Sequence, residues 1–101
     1  MSAKVIRGKH RAFVLIDVAP GKERKVAEKL LKYNEIAEVH MITGEYDLLA
    51  VLEFELYGKL IFTSFQETAS KFVLNKIRRL GLVQGTNTII PSLSLSKADQ
   101  V

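Results

Sequence analysis

The chain has 101 residues, 48% apolar and 26% charged, with neither cysteine nor tryptophan, which fits one small domain and excludes a large enzyme core. Its formal charge of +4 is carried by Lys4, Arg7, Lys9 and Arg11, because beyond residue 11 eleven Lys or Arg meet eleven Asp or Glu. The absence of cysteine excludes structural disulfides and thiolate metal sites, and an apolar run such as residues 48–52 falls far short of the roughly 20 residues that span a bilayer.

Residues 1–11 read as a basic leader, disordered and solubilising, with contact to nucleic acid or to a partner as the competing readings. No signal-peptide hydrophobic segment follows it, so a cytoplasmic protein is expected, without a membrane partner. Because the rest of the chain is formally neutral, only this leader concentrates positive charge.

Residues 12–18 are apolar and rich in β-branched side chains, broken by Asp17 and closed by Pro20 and Gly21, the pattern of a strand followed by a turn. From Lys22 to about Tyr33 the spacing changes. Val26, Ala27, Leu30 and Leu31 recur at three and four residues among charged ones, predicting an amphipathic helix supported by a Glu28 to Lys32 pair. Residues 38–43 and 46–55 flank Gly44-Glu45 and predict two strands joined by a tight turn. The second strand places Tyr46, Leu48, Ala50, Leu52 and Phe54 on one face, and Asp47, Leu49, Val51, Glu53 and Glu55 on the other.

Residues 56–63 mix a turn-like Tyr57-Gly58-Lys59 with the apolar Leu60-Ile61-Phe62 and yield no clear element. Ser64 and Glu67 have the spacing of a capping box, in which each side chain satisfies an open amide at a helix start. Phe65, Ala69, Phe72, Val73, Ile77 and Leu80 form the stripe of this second helix, and Gly81 is suited to a left-handed end. Residues 83–90 predict a last strand stopped by Pro91. Residues 92–101 form a C-terminal extension that permits another edge strand around Leu93 and Leu95 before a polar end from Lys97.

The order strand, helix, strand, strand, helix, strand predicts an α+β fold over residues 12–91. With right-handed crossovers it is a ferredoxin-like α/β sandwich (βαββαβ), a four-stranded antiparallel sheet with two helices on one face. Two helices cover only one face, yet the first and third strands carry apolar side chains in both directions. If Ala12, Val14, Ile16 and Val18 face the helices, then Phe13 and Leu15 are exposed, and the reverse register exposes the other set. Burying about 1,000 Å² of apolar sheet would yield roughly 25 kcal/mol before association costs. A homodimer or higher assembly is expected, against a monomer whose own tail covers the sheet.

Catalytic constellations are hard to assemble from these residues. His10 and His40 belong to no metal-ligand spacing, Asp47, Glu53 and Glu55 read as strand carboxylates facing water, and Ser64 has no nearby His and acid. Gly21 and Gly44 form no phosphate loop, and Lys71, Lys76, Arg78 and Arg79 read as a solvated helix surface. No cofactor is expected. The strongest candidate is Thr43-Gly44-Glu45-Tyr46-Asp47, where the Asp can accept from a ligand ammonium while turn amides hold a carboxylate, a pairing suited to a free amino acid. The same residues are also explained by a turn at Gly44 and a capping role for Asp47.

The track of Ala12-Phe13-Val14-Leu15-Ile16, Pro20-Gly21-Lys22-Glu23 with Val26 and Leu30, Val39, Thr43-Gly44-Glu45-Tyr46-Asp47-Leu48, Phe72-Val73-Leu74-Asn75-Lys76-Ile77 and Thr86-Asn87-Thr88-Ile89-Ile90 resembles the effector-binding (RAM) domain of the Lrp/AsnC transcriptional regulators. The resemblance implies a domain that dimerises through its sheets, assembles further into tetramers or octamers, and binds small effectors, commonly amino acids, between dimers. Carried over, Gly44 shapes the ligand loop, Tyr46 forms a wall, Asp47 binds or orients the effector amine, and Thr43 and Thr88 add contacts. Regulators of this family carry a helix-turn-helix domain ahead of the module, whereas here residues 1–11 precede Ala12. The expectation is a stand-alone effector domain that modulates transcription by associating with full-length regulators, without direct DNA binding or operator recognition of its own. The connection from Asp47 to Phe72 is longer than in a compact family member, which leaves the ligand's identity open. The alternatives are a ligand-free structural interaction protein and a small dimeric ferredoxin-like enzyme.

Overall fold

The apolar runs at residues 12–18 and 48–52 become the two central strands of one sheet. The computed structural model describes residues 4–5, 10–54 and 62–97. In chain order its elements are β1 (Lys4–Val5), β2 (His10–Val18), α1 (Glu23–Leu30), β3 (Ile36–Met41), β4 (Leu48–Phe54), α2 (Phe62–Phe72) continuing as a π-helical turn (Val73–Ile77), β5 (Val83–Ile89) and β6 (Leu95–Ser96). The four longer strands form an antiparallel sheet in the order β3-β4-β2-β5, with both helices on one face, the expected ferredoxin-like α+β sandwich. Glu55, residues 56–61 and the tail beyond Lys97 lie outside the described residues.

Strand periodicity decides which side chains meet the helices. Ala12, Val14, Ile16 and Val18 from β2 and Leu48, Ala50 and Leu52 from β4 are buried with Val26, Leu30, Phe65 and Ile77. Phe13, Leu15, Leu49 and Val51 therefore point to the opposite, outer face, the first of the two registers. On β3 a bulge between Ile36 and Glu38 adds one residue, so Ile36 and Val39, three apart, both serve the core.

The helices depart from expectation at their ends. α1 stops at Leu30, and Leu31 is 51% exposed instead of completing the stripe. The next core contact comes from Tyr33 beyond the helix, edge-on to Phe72 at 5.6 Å between ring centroids. Ser64 is the third residue of α2 and not its cap, because the helix begins at Phe62. The stripe Phe65, Ala69, Phe72, Val73 and Ile77 is buried as read, but its last part is π-helical, with the Arg78 N–H bonded to the Val73 carbonyl at 2.9 Å. Widening the turn absorbs the adjacent pair Phe72 and Val73 into one buried face. Gly81 does not have a positive φ; among the described residues only Gly21 (φ +77°) and Gly44 (φ +147°) do. The chain leaves the π-turn through successive turn bonds, Leu80 N–H to the Ile77 carbonyl and Val83 N–H to the Leu80 carbonyl.

The ends of the chain also differ from the reading. Lys4 and Val5 of the leader pair with Ser96 and Leu95 as a separate two-stranded ribbon, so this part of the leader is a strand and the tail's edge strand joins β1 instead of the main sheet. Antiparallel pairing of β2 with β5 explains this, since the chain enters β2 and leaves β5 at the same end of the sheet. β2 itself begins at His10, drawing Arg11 into the sheet.

Candidate functional site

The hairpin between β3 and β4 is wider than the two-residue turn expected. β3 ends at Met41 and β4 begins at Leu48, which places Thr43, Gly44, Glu45, Tyr46 and Asp47 in the loop. Thr43, Gly44 and Glu45 are exposed, while Tyr46 and Asp47 are half-buried. Gly44 has φ +147°, and a Cβ there would meet no atom within 4 Å, so backbone conformation and not space selects glycine.

Asp47 ties the loop to the sheet. Its N–H donates to the Ile16 carbonyl and its carbonyl accepts from Ile42 N–H, both at 3.0 Å. Its Oδ2 accepts the Val18 N–H at 2.9 Å. β4 begins at Leu48, opposite Ile16 and two residues short of meeting Val18, and β2 is bulged between Asp17 and Val18, so the carboxylate replaces a missing ladder carbonyl. An ionised carboxylate has capacity for more than this one bond. Asp47 therefore holds a backbone amide of β2 and keeps acceptor capacity beyond that bond.

Thr88 is not brought to this loop. It pairs with Val14 on the far side of β2, on the edge strand β5, and shares the helix-facing side of the sheet with Thr86. Val14 lies four residues from Val18 along β2, about 13 Å of strand. Asp17 is paired with Gly85 on β5, and its Oδ2 would lie 3.8 Å from a Cβ there. The sequence reading used Asp17 only as an interruption of an apolar run, and its pairing opposite a glycine becomes visible only in the register.

The outer sheet face holds a second arrangement. Phe13, Leu15, Leu49 and Val51 form its centre, and Val51 is 2% exposed although it stands outside the helix-side core. At one end, Arg11 Nε lies 3.2 Å from Glu53 Oε2, close enough for an ion pair although off the hydrogen-bonding line, and Arg11 Nη2 lies 3.8 Å from Glu38 Oε2. His40 Nε2 lies 2.8 Å from Glu38 Oε1, and the Arg11 guanidinium sits 5.9 Å from the Phe13 ring centroid. Arg11 thus belongs to a sheet network and not to a free leader, and Glu53 is an ion-pair partner. Among the described residues, no helix is long and apolar enough to cross a membrane.

Residues 11–100 match the model of the Lrp/AsnC ligand binding domain. The chain is 38% identical over 79 residues to the HTH-type transcriptional regulator FL11 of Pyrococcus furiosus, covering 78% of this chain and 46% of that protein. It spans about half the length of the curated relatives it matches. Among solved structures, the hypothetical protein PHS023 from Pyrococcus horikoshii superposes with a TM-score of 0.66 at 36% identity, over 83% of this chain and 90% of that one. The transcriptional regulator NMB0573 of Neisseria meningitidis, solved as a complex with L-Met, shares the fold with a TM-score of 0.61 at 22% identity, over 90% of this chain and 53% of that one. The strand order and a family match over nearly the whole chain agree: the chain belongs to the Lrp/AsnC ligand-binding domains.

Proposed function

We propose that this chain is an oligomeric, non-enzymatic effector-binding module that joins copies of itself through the outer sheet face and takes an amino acid at the 42–47 loop, between dimers. The observation that carries the reading is Asp47, a half-buried carboxylate held in place by a backbone bond to Val18 at the base of an exposed loop. A carboxylate held in this way suits an ammonium group, because its orientation is set before the ligand arrives. Thr43, Gly44 and Tyr46 line the same loop, while Thr88 takes part only if a neighbouring copy supplies it. The L-Met complex of a protein with the same fold supports an amino acid as the ligand class. Tetramers or octamers follow if dimers meet around these loops, and association with full-length Lrp/AsnC regulators through the same sheet face would carry the effect to transcription.

Paired substitutions separate the two jobs of Asp47. Asp47→Asn keeps an oxygen for the Val18 N–H and removes the charge, whereas Asp47→Ala removes both. Calorimetric titration with the common amino acids, run with light scattering, is expected to show saturable binding that both variants lose. Thermal unfolding is expected to show a loss of about 1 to 2 kcal/mol for Asp47→Ala only, the usual consequence of stranding a covered backbone donor. Binding that survives in Asp47→Asn would overturn the ammonium assignment. Absence of binding to the unmodified protein would favour the second reading, a ligand-free interaction protein, in which the bond to Val18 is the whole purpose of Asp47. Co-purification with intact regulators tests the mixed assembly, and homo-oligomers that never exchange with them would count against it.

A further inference from the structure

The formal neutrality of the chain beyond its leader does not survive folding. The segments that build the helix layer, residues 22–35 and 62–81, carry nine Lys or Arg against four Asp or Glu. The segments that build the sheet and its loops, residues 10–21, 36–54 and 82–91, carry one Arg against five Asp or Glu. The charges of the two layers are opposite, and the cations of the helix layer are exposed.

Their arrangement on α1 is regular. Lys22, Lys25, Lys29 and Lys32 follow one another at three, four and three residues, with Lys25 and Lys29 on one side of α1 beside the buried Val26, Ala27 and Leu30, and Lys22 and Lys32 flanking the helix at its two ends. Both acids of α1 are engaged away from it. Glu23 Oε1 accepts the Gly21 N–H at 3.3 Å, and Glu28 Oε2 is 3.4 Å from Arg24 Nε, so the Glu28 to Lys32 pair anticipated from spacing is not the one made. Among the described residues, none of the four lysines is ion-paired to a carboxylate. Arg78 and Arg79 lie at the same end of the layer as Lys22, because Ala19 N–H bonds the Leu82 carbonyl at 2.9 Å and Lys22 N–H bonds the Ala19 carbonyl at 3.0 Å.

We infer that the helix layer is a docking surface for the phosphate backbone of a duplex nucleic acid. The lysine stripe runs along the eight residues of α1, about 12 Å of helical rise, and onto Lys22 and Lys32 at its two ends, close to the length over which one duplex strand presents about four phosphates. A row of unpaired ammonium groups at that length matches a line of phosphates, and the contact is sequence-independent because lysine stripes reach backbone and not base edges. The acidic sheet side repels the same polyanion, so the helix layer alone faces it. This surface lies opposite the proposed dimer face and does not depend on effector binding. A module seated on a regulator could therefore rest its helices on neighbouring DNA without reading an operator.

The test is fluorescence anisotropy of a labelled duplex of arbitrary sequence with the full chain, over a range of salt concentrations. The unmodified protein is expected to bind with a log-log salt slope of about −4 to −5, near −0.9 for each phosphate contacted. The exposed quadruple variant Lys22→Gln, Lys25→Gln, Lys29→Gln and Lys32→Gln is expected to flatten the slope by about 3 and weaken low-salt binding at least tenfold. Arg78→Gln with Arg79→Gln is expected to flatten it by about 2, and supplies a second test should the quadruple variant fold poorly by circular dichroism. Deleting residues 1–9 is expected to leave more than half of the slope. The inference is overturned if that deletion abolishes binding while the stripe variant binds unchanged, or if the duplex is ignored while polyglutamate binds, the mark of an acidic protein partner.

Discussion

The two broad surfaces of this domain are built by opposite means. The helix layer turns a buried apolar stripe inward and presents cations outward, so it is finished on one side and electrostatically open on the other. The outer sheet face has an apolar centre of Phe13, Leu15, Leu49 and Val51, and its charged groups at one end are engaged with one another, Arg11 with Glu38 and Glu53, and Glu38 with the His40 ring. Mutually paired polar groups beside an apolar centre resemble the rim and core of a protein interface, whereas unpaired like charges suit a solvated polyanion. The difference teaches that neutrality of the whole says little about the partners of each part.

The largest expected effect tests which sheet face is already closed. Leu48→Ala, on the helix side and fully buried, is expected to destabilise the fold by about 3 to 5 kcal/mol in denaturant titration. Leu49→Ala, the next residue but on the outer face, is expected to lower unfolding stability by about 1 kcal/mol or less when measured on the dissociated chain. Equal losses at the two positions would break the distinction between the faces.

Charge on the outer face comes next. Leu15→Glu is expected to weaken self-association by about a hundredfold in sedimentation equilibrium, because a carboxylate would be desolvated at the apolar centre, while the far-ultraviolet spectrum stays folded. An unaltered association constant would remove this face as the interface. The smallest effect is reserved for the helix surface: Glu28→Gln breaks the exposed Arg24 pair, whose side chains are 84% and 64% accessible. A loss within about 0.5 kcal/mol is expected in thermal unfolding.

Much of the architecture was legible because burial periodicity is written in the residues themselves. The alternation at residues 12–18 and 48–54 and the three- and four-residue spacing of Val26, Ala27 and Leu30 each named the correct element, while which set of strand side chains faces the helices was settled only by the structure. Boundaries were less legible. Leu31 fits the helical period but follows the last turn, and Ser64 fits a capping box but lies inside α2, because local pattern does not say where tertiary packing ends an element. The bulges in β2 and β3 were invisible, since a bulge is set by how two strands are paired.

The candidate site was legible as a segment and not as a geometry. Gly44 and Asp47 announced a turn with an acceptor, but the bond from Val18 joins residues 29 apart in the chain, a contact that exists only once β2 and β4 are side by side. Thr88 shares the family-like motif yet lies on the far side of β2, which strand order alone determines.

By itself the amino-acid order determined the types of the four main strands and two helices and that both sheet faces carry apolar side chains, because these follow from spacing and hydrophobicity along the chain. Only the tertiary structure decided that Asp47 secures Val18, that Arg11 belongs to the sheet and that a neutral body separates into a basic layer and an acidic one. Electrostatics and hydrogen bonds depend on distance in space, and folding brings residues far apart in sequence to distances that no local pattern encodes.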